Sequence, residues 1–327
     1  MPYLLLALGI TLLLLGGTAL VRGASAIARA CNVSTMIIGL TVVAFGTSTP
    51  ELVVNITGAL QGQTDLAFGN AVGSNLANFG LVLGLAAIMS PIYLEGQVVR
   101  REVPYLLLVT AILMVMAADY SLSGSTSMLS RGDAIILFLL FTVFVYFMVR
   151  DVMREQGDPV LREAEAYTPK AHADGIHWPS MLGNGALVIM GIAMLTYGGQ
   201  LTIAQGEIIA EIWQVPQVVI GIFVVAVGTS LPELVTSIIA AIKRETDLAL
   251  GNIVGSNIFN SLVVLPAAGI IQPLPIPAGG TLDLAVAFLF VLVMIPLFLF
   301  AKARIGRLQG FMLVGTYCGY LVYRFLA

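Results

Sequence analysis

Charge is scarce in this sequence. Only 10% of its 327 residues are Asp, Glu, Lys or Arg, against about 25% in a soluble globular protein. Set beside 58% hydrophobic residues and a mean hydropathy of +0.98, that deficit excludes a water-soluble domain. Cysteine is nearly absent as well. Cys31 and Cys318 lie at opposite ends of the chain, which gives neither a disulfide framework nor metal-ligand spacing. The only histidines, His172 and His177, fall in the longest polar stretch, so a histidine-based zinc site within a membrane is excluded. Strand-like alternation is also missing: runs such as LLLALGITLLLLGG are continuous, which excludes a transmembrane barrel. The first such run has no basic leader and no clean small-residue cleavage site, so it reads as a retained span rather than a signal peptide.

What remains is an all-α polytopic membrane protein. Crossing a hydrocarbon core of about 30 Å takes roughly 20 apolar residues. Ten segments come near that length: 3–22, 35–61, 67–90, 103–118, 132–150, 181–203, 216–242, 247–271, 282–301 and 308–325. The second, third, seventh and eighth are rich in Gly, Asn, Ser and Thr and are expected to be broken helices at the core. The one sizeable polar stretch, RDVMREQGDPVLREAEAYTPKAHADGIHWP, is mixed in sign and too short for a domain. It divides the chain into a first repeat at 1–150, a linker at 151–180 and a second repeat at 181–327. With the N-terminus outside, thirteen of the fifteen basic residues fall on the cytoplasmic side, leaving Arg131 and Arg324 outside. A multi-pass protein of the cell (inner) membrane is expected, with both termini outside and the linker cytoplasmic.

Self-comparison supplies the strongest signal. A shift of 182 residues aligns Gly39–Leu83 with Gly221–Leu265 without a gap, and 26 of the 45 positions are identical. The register continues outside that block, where Gly9 meets Gly191, Gly16 and Gly17 meet Gly198 and Gly199, and Pro91 meets Pro273. The duplicated unit is thus five spans long. An odd number of spans turns the second copy upside down, the inverted repeat of alternating-access transporters.

Each half carries two polar clusters. AFGTSTPEL at 44–52 is matched by AVGTSLPEL at 226–234, and GNAVGSNLAN at 69–78 by GNIVGSNIFN at 251–260. Pro50 cannot donate to the Gly46 carbonyl, and its ring disfavours helix at Thr49. Carbonyls near Ala44 and Thr47, and by the repeat near Ala226 and Thr229, are therefore expected to be free. Free carbonyls inside a bilayer are costly unless they line a cavity or coordinate something. Glu51 and Glu233 add formal charge with no Lys or Arg nearby at that depth. With the hydroxyls of Thr47, Ser48, Thr229 and Ser230 they form an all-oxygen set that suits a hard cation and favours Ca2+. The competing reading for each Glu is a neutral, protonated carboxyl held by hydrogen bonds; matched positions behind matched helix breaks favour the ligand role. In the second cluster, Ser74 with Asn78 and Ser256 with Asn260 share helix faces, and such neutral groups suit Na+. Asn70 and Asn252 read as interhelical hydrogen-bonding groups, and Asp65 and Asp247 as N-caps of the third and eighth spans.

These paired motifs, GTSxPE and GSNxxN in two inverted halves, resemble the α-repeats of the cation/calcium exchanger superfamily, and the ten-span layout resembles its prokaryotic sodium/calcium exchangers. The resemblance implies a Ca2+ site of Glu51 and Glu233 with the carbonyls of Thr47 and Thr229. It implies Na+ sites using the same glutamates with Ser48, Ser74, Ser230, Ser256 and the carbonyls of Ala44 and Ala226. It also implies that the first and sixth spans slide over a rigid remainder, with their Gly–Gly pairs letting them bend or pack lightly. Some members carry Asp at the last position of GSNxxN; Asn78 and Asn260 are both neutral here, which argues against potassium co-transport.

The expected activity is Na+/Ca2+ antiport by alternating access at one midplane site, not enzymatic catalysis. Its partners are Ca2+, Na+ and the lipid bilayer, with no resident cofactor and no nucleic acid. Two alternatives stand beside it: Ca2+/H+ exchange, and an intramembrane hydrolase using the Glu pair as acid and base. The second lacks a Ser/His pairing at depth and any HExxH.

Overall fold

The computed structural model describes residues 1–93, 101–118, 127–157, 178–215, 228–300 and 304–326. It is a mostly helical membrane protein. The first half contains α1 (Pro2–Ala30), α2 (Thr35–Ile38), α3 (Ala44–Thr47), α4 (Thr49–Leu60), α5 (Thr64–Ala77), α6 (Leu83–Met89), α7 (Val103–Met116) and α8 (Arg131–Gly157). The second contains α9 (Trp178–Ile212), α10 (Leu231–Ile242), α11 (Thr246–Phe259), α12 (Leu265–Ile271), α13 (Gly280–Phe300) and α14 (Arg307–Leu326). Each predicted segment falls on helix, the seventh over its described part, 228–242. Among the described residues, five helices are long and apolar enough to cross a membrane, or six if the bent pair Thr35–Thr47 and Thr49–Leu60 counts as one span.

The linker is helical at both of its described ends: α8 continues to Gly157, and α9 is described from Trp178. Arg, Met, Glu and Gln at 150–156 are strong helix formers. Residues 158–177, with both histidines, lie outside the described residues.

The 182-residue register extends to backbone conformation. α4 and α10, α5 and α11, and α6 and α12 match in length and position. Left-handed residues recur in the same register: Asn32 (φ 49°) with Gln214 (φ 57°), and Gly62 (φ 74°) with Arg244 (φ 63°). Each of the latter pair closes a helix in a Schellman turn. The Gln63 N–H donates to the Gly58 carbonyl at 2.8 Å and the Glu245 N–H to the Ala240 carbonyl at 2.9 Å. An arginine is thus held where glycine is the ordinary choice.

Two expectations change. The third and eighth segments do not break. Each runs through as one helix, Thr64–Met89 and Thr246–Ile271, with a π turn at Asn78–Val82 and Asn260–Val264. The first contains no proline, and Pro266 in the second sits just past the π turn, where the regular ladder is already interrupted. Nor are Asp65 and Asp247 N-caps. The caps are Gln63 and Glu245 without side-chain bonds, and the aspartates lie in the first turn, where a carboxylate still complements the helix dipole.

The two π-containing helices form the centre, their spans being 67% and 83% buried against 22 to 33% for the other long helices. The halves interlock around them. α4 packs on α12 as α10 packs on α6, and α8 lies on α12 as α14 lies on α6. Short bridges tie the halves together: Ile92–Tyr93 (β1) pairs with Arg304–Ile305 (β4), and Met128–Leu129 (β2) with Leu274–Pro275 (β3).

α1 and α9 pack antiparallel along most of their length. A Cβ on Gly16 would lie 2.9 Å from the Gly191 carbonyl oxygen, one on Gly23 2.8 Å from that of Asn184, and one on Gly198 2.9 Å from that of Gly9. These glycines permit backbone contact. The expectation of light packing is therefore reversed: Gly16 and Gly198 lock α1 to α9, and Gly17 faces Ile239 and Val235 of α10.

Because the obstructing atoms are backbone, Gly16→Val and Gly198→Val are expected to destabilise the protein by about 1–3 kcal/mol each. Gly315→Ala, with nothing within 4 Å among the described residues, should be neutral. Thermal unfolding in detergent checks this; equal melting of all three would refute the locked pair.

Candidate cation site

Glu51 and Glu233 stand in the first turns of α4 and α10. The residue before each helix takes the same bridge-region conformation: Ser48 at φ −86°, ψ 8° and Ser230 at φ −84°, ψ 8°. On the first-half side, the helical run Thr35–Thr47 meets α4 at 44°. Pro50 accounts for that bend, since it has no N–H to offer four residues back, and Pro232 holds the matching position in α10. Each helix so restarted turns its positive N-terminal end toward the carboxylate of its own Glu.

Both acids are sealed from solvent, Glu51 at 0% and Glu233 at 1% exposure, and the two halves meet there, since Ser48, three residues before Glu51, bonds to Glu233. No Lys or Arg among the described residues pairs with either. Across the repeat boundary, Ser48 Oγ donates to Glu233 Oε1 at 2.9 Å. Ser256 lies beside the same carboxylate without a hydrogen bond of ordinary geometry. Both oxygens of Glu51, the second oxygen of Glu233 and the Ser230 hydroxyl find no partner among the described residues. The same holds for both amide atoms of Asn78 and of Asn260. Ser74 Oγ and Thr229 Oγ1 are 3.3 Å apart, another link between the halves.

Two of the expected ligands are engaged elsewhere. The Ala44 carbonyl is not free: it accepts the Ser48 N–H at 3.0 Å and lies 3.3 Å from the Thr47 hydroxyl. The helix simply continues to Ser48 before Pro50 takes effect. Thr47 Oγ1 also reaches Asn252 Oδ1 at 3.1 Å. Ala226 lies outside the described residues.

Asn70 and Asn252 serve as interhelical links. Asn70 Nδ2 donates to Asn55 Oδ1 at 2.6 Å, and Asn55 Nδ2 to the Ala67 carbonyl at 2.9 Å. In the second half Asn252 Nδ2 donates to Ser237 Oγ at 2.9 Å. Sequence reasoning missed Asn55 and Ser237, although they occupy matched polar positions one turn beyond each Glu. It also missed Thr236, fully buried, whose hydroxyl has no partner among the described residues. Other helical threonines bond back to their own backbone, as Thr41, Thr57 and Thr110 do. The signal was a Thr where the first half has Val54.

Apolar side chains close over the breaks. A Cβ on Gly46 would lie 2.4 Å from Ile192 Cδ1, and one on Gly228 2.9 Å from Ile203 Cδ1. One helix, α9, therefore covers both. A buried polar atom left unpaired costs about 1–3 kcal/mol, so orphaned oxygens and amides this close to two carboxylates fit a hard cation held by oxygen ligands.

Known proteins resemble this chain over its length. The sequence model of the sodium/calcium exchanger protein family matches residues 1–150 and 184–326. The sodium/calcium exchanger MaX1 of Methanosarcina acetivorans is 30% identical over 99% of this chain and 98% of its own. The inner membrane protein YrbG of Escherichia coli is 35% identical over 77% of this chain and 74% of its own. Among solved structures, the sodium-calcium exchanger NCX_Mj superposes with a TM-score of 0.82 at 30% identity, covering 98% of each chain.

The geometry separates glue from candidate ligand. Asn252→Ala should lower stability by about 1–3 kcal/mol through its lost hydrogen bonds. Asn78→Ala removes none and should cost clearly less, while weakening cation binding. Melting curves with and without Ca2+ check both; an Asn78 variant that binds Ca2+ as well as wild type would remove Asn78 from the site.

Proposed function

The chain belongs to the sodium/calcium exchanger protein family, and from that premise we propose that it is a secondary antiporter exchanging Na+ for Ca2+ at one site near the membrane midplane. The family is one of transporters, so the Glu pair has no hydrolytic role. The observation that carries the reading is the convergence of Glu51 and Glu233 from opposite halves, fully buried and without a cationic side chain.

In this reading the architecture is ten spans in two inverted five-span repeats, 1–150 and 181–327, around a cytoplasmic linker, with both termini outside the cell membrane. Matched turns, matched breaks and reciprocal contacts between the halves support it. Ca2+ lies between the two glutamates with the carbonyls of Thr47 and Thr229. Na+ uses the same carboxylates with Ser48, Ser74, Ser230, Ser256, Asn78 and Asn260. The carbonyls of Ala44 and Ala226 join that set, at Ala44 once the Thr47 hydroxyl turns away. Sharing the carboxylates makes the two ions mutually exclusive, and differential binding of this kind couples their movements.

Alternating access follows from the pseudo-symmetry. Ser48 holds Glu233, while among the described residues its counterpart Ser230 makes no matching bond to Glu51. The glycine-locked α1–α9 pair moves as a unit between the two states of access, and α9 carries the isoleucines that cover both breaks.

The test is calcium uptake by proteoliposomes under an opposing Na+ gradient. Wild type should accumulate Ca2+, and Glu51→Gln and Glu233→Gln should each fall to background. Uptake that ignores Na+ but follows a pH gradient would make the protein a Ca2+/H+ exchanger. Unchanged uptake in either variant would remove the site.

A further inference from the structure

α13 and α14 are consecutive in the chain, yet an apolar groove of about 440 Å³ runs between them. Phe290 and Leu313, each 5% exposed, form its floor. Its walls include Leu289 and Met312, 53% and 61% exposed, so the groove opens toward lipid rather than into the protein.

The two ends differ. Tyr320 lines one end and bonds to Asp283, which also pairs with Arg324 at 3.0 Å. That cluster closes the groove with polar groups satisfied among themselves. Gln309 lines the other end, its Oε1 accepting the Gly306 N–H at 3.0 Å. Arg304 and Arg307 come five and two residues before it in the chain, both exposed and without a carboxylate partner among the described residues. From Gln309 to Tyr320 the helix rises about 16 Å, close to the roughly 15 Å of hydrocarbon in one leaflet.

We propose that this groove is a binding site for one anionic phospholipid, an acyl chain lying between α13 and α14 and the phosphate on Arg304 and Arg307. The length matches a single leaflet, the floor is apolar, and two exposed arginines lie at the end of α14 where the groove ends. Basic sites of this kind on the cytoplasmic side favour anionic head groups by about fivefold per residue. That the leaflet is the cytoplasmic one rests on the orientation proposed above; the groove and its basic mouth do not.

Native mass spectrometry of the purified protein in mild detergent tests the site, with phosphatidylglycerol and phosphatidylcholine of matched chains as probes. Wild type should retain phosphatidylglycerol about 25-fold better. The double variant Arg304→Gln/Arg307→Gln should lose that preference while still taking up either lipid. Leu289→Trp, which fills the groove from a lipid-exposed wall, should abolish the adduct of both. Met312→Trp, on the opposite wall, repeats that test if the first variant melts early. Preference surviving the double substitution, an adduct surviving both tryptophans, or a protein dimer in place of the adduct would overturn the proposal. Ion flux is not part of this readout, so a failed exchange assay would leave the lipid site standing.

Discussion

Glu51 and Glu233 lie where an ionised carboxylate has neither water nor a basic side chain to stabilise it. Even the lenient scales put such a residue at about 2.5–3.5 kcal/mol per span, and mutual repulsion adds to that figure. Much of the surrounding architecture can be understood as a response. Prolines interrupt the helices so that two fresh N-termini face the acids. Hydroxyls and amides from α3, α5, α10 and α11 surround them, and α9 seals the breaks with isoleucine. In the reading proposed above, a cation bridging the carboxylates would relieve the repulsion and satisfy the orphaned groups together.

The repeat made a large part of this legible in advance. One register fixed the positions of the breaks, the glutamates and the linking asparagines, because chemistry used twice in one chain leaves two copies to compare. The same comparison, pressed further, would have found the left-handed Arg244, which sits opposite Gly62. Departures from the register were harder to read. Val54 against Thr236 is a single apolar-to-polar change, and nothing local shows that the hydroxyl lacks its usual backbone partner.

Other features lay beyond sequence for a different reason. Whether Gly16 loosens a helix or locks it to another depends on what faces it, and the facing atoms are the Gly191 carbonyl and the Leu195 backbone, 175 and more residues away in the chain. The Ala44 carbonyl was expected to be free because Pro50 cannot donate; the missing donor belongs to Gly46 instead, and Ser48 still closes the turn on Ala44. Richness in Gly, Ser and Asn suggested breaks in the third and eighth segments. In the eighth segment the small residues serve close packing: a Cβ on Gly251 would lie 2.6 Å from the Met36 carbonyl oxygen and one on Gly255 2.5 Å from that of Leu40. Small polar composition signals close approach or a break equally.

Two kinds of helix contact follow, with different consequences for motion. The α1–α9 seam brings backbone against backbone at Gly16, Gly23, Gly191 and Gly198, with Leu20, Val188 and Leu195 packed alongside, so it resists relative sliding. The contacts of this pair with α10 are side chain against glycine, as where Ile239 meets Gly17, and the Lys243 ammonium reaches the Thr18 carbonyl at 3.4 Å across an exposed edge. Flexible side chains and a long, exposed hydrogen bond can be exchanged for neighbouring ones at little cost. Under the alternating-access reading proposed above, the seam that would hold is built on glycine, and the seam that would slip is built of side chains.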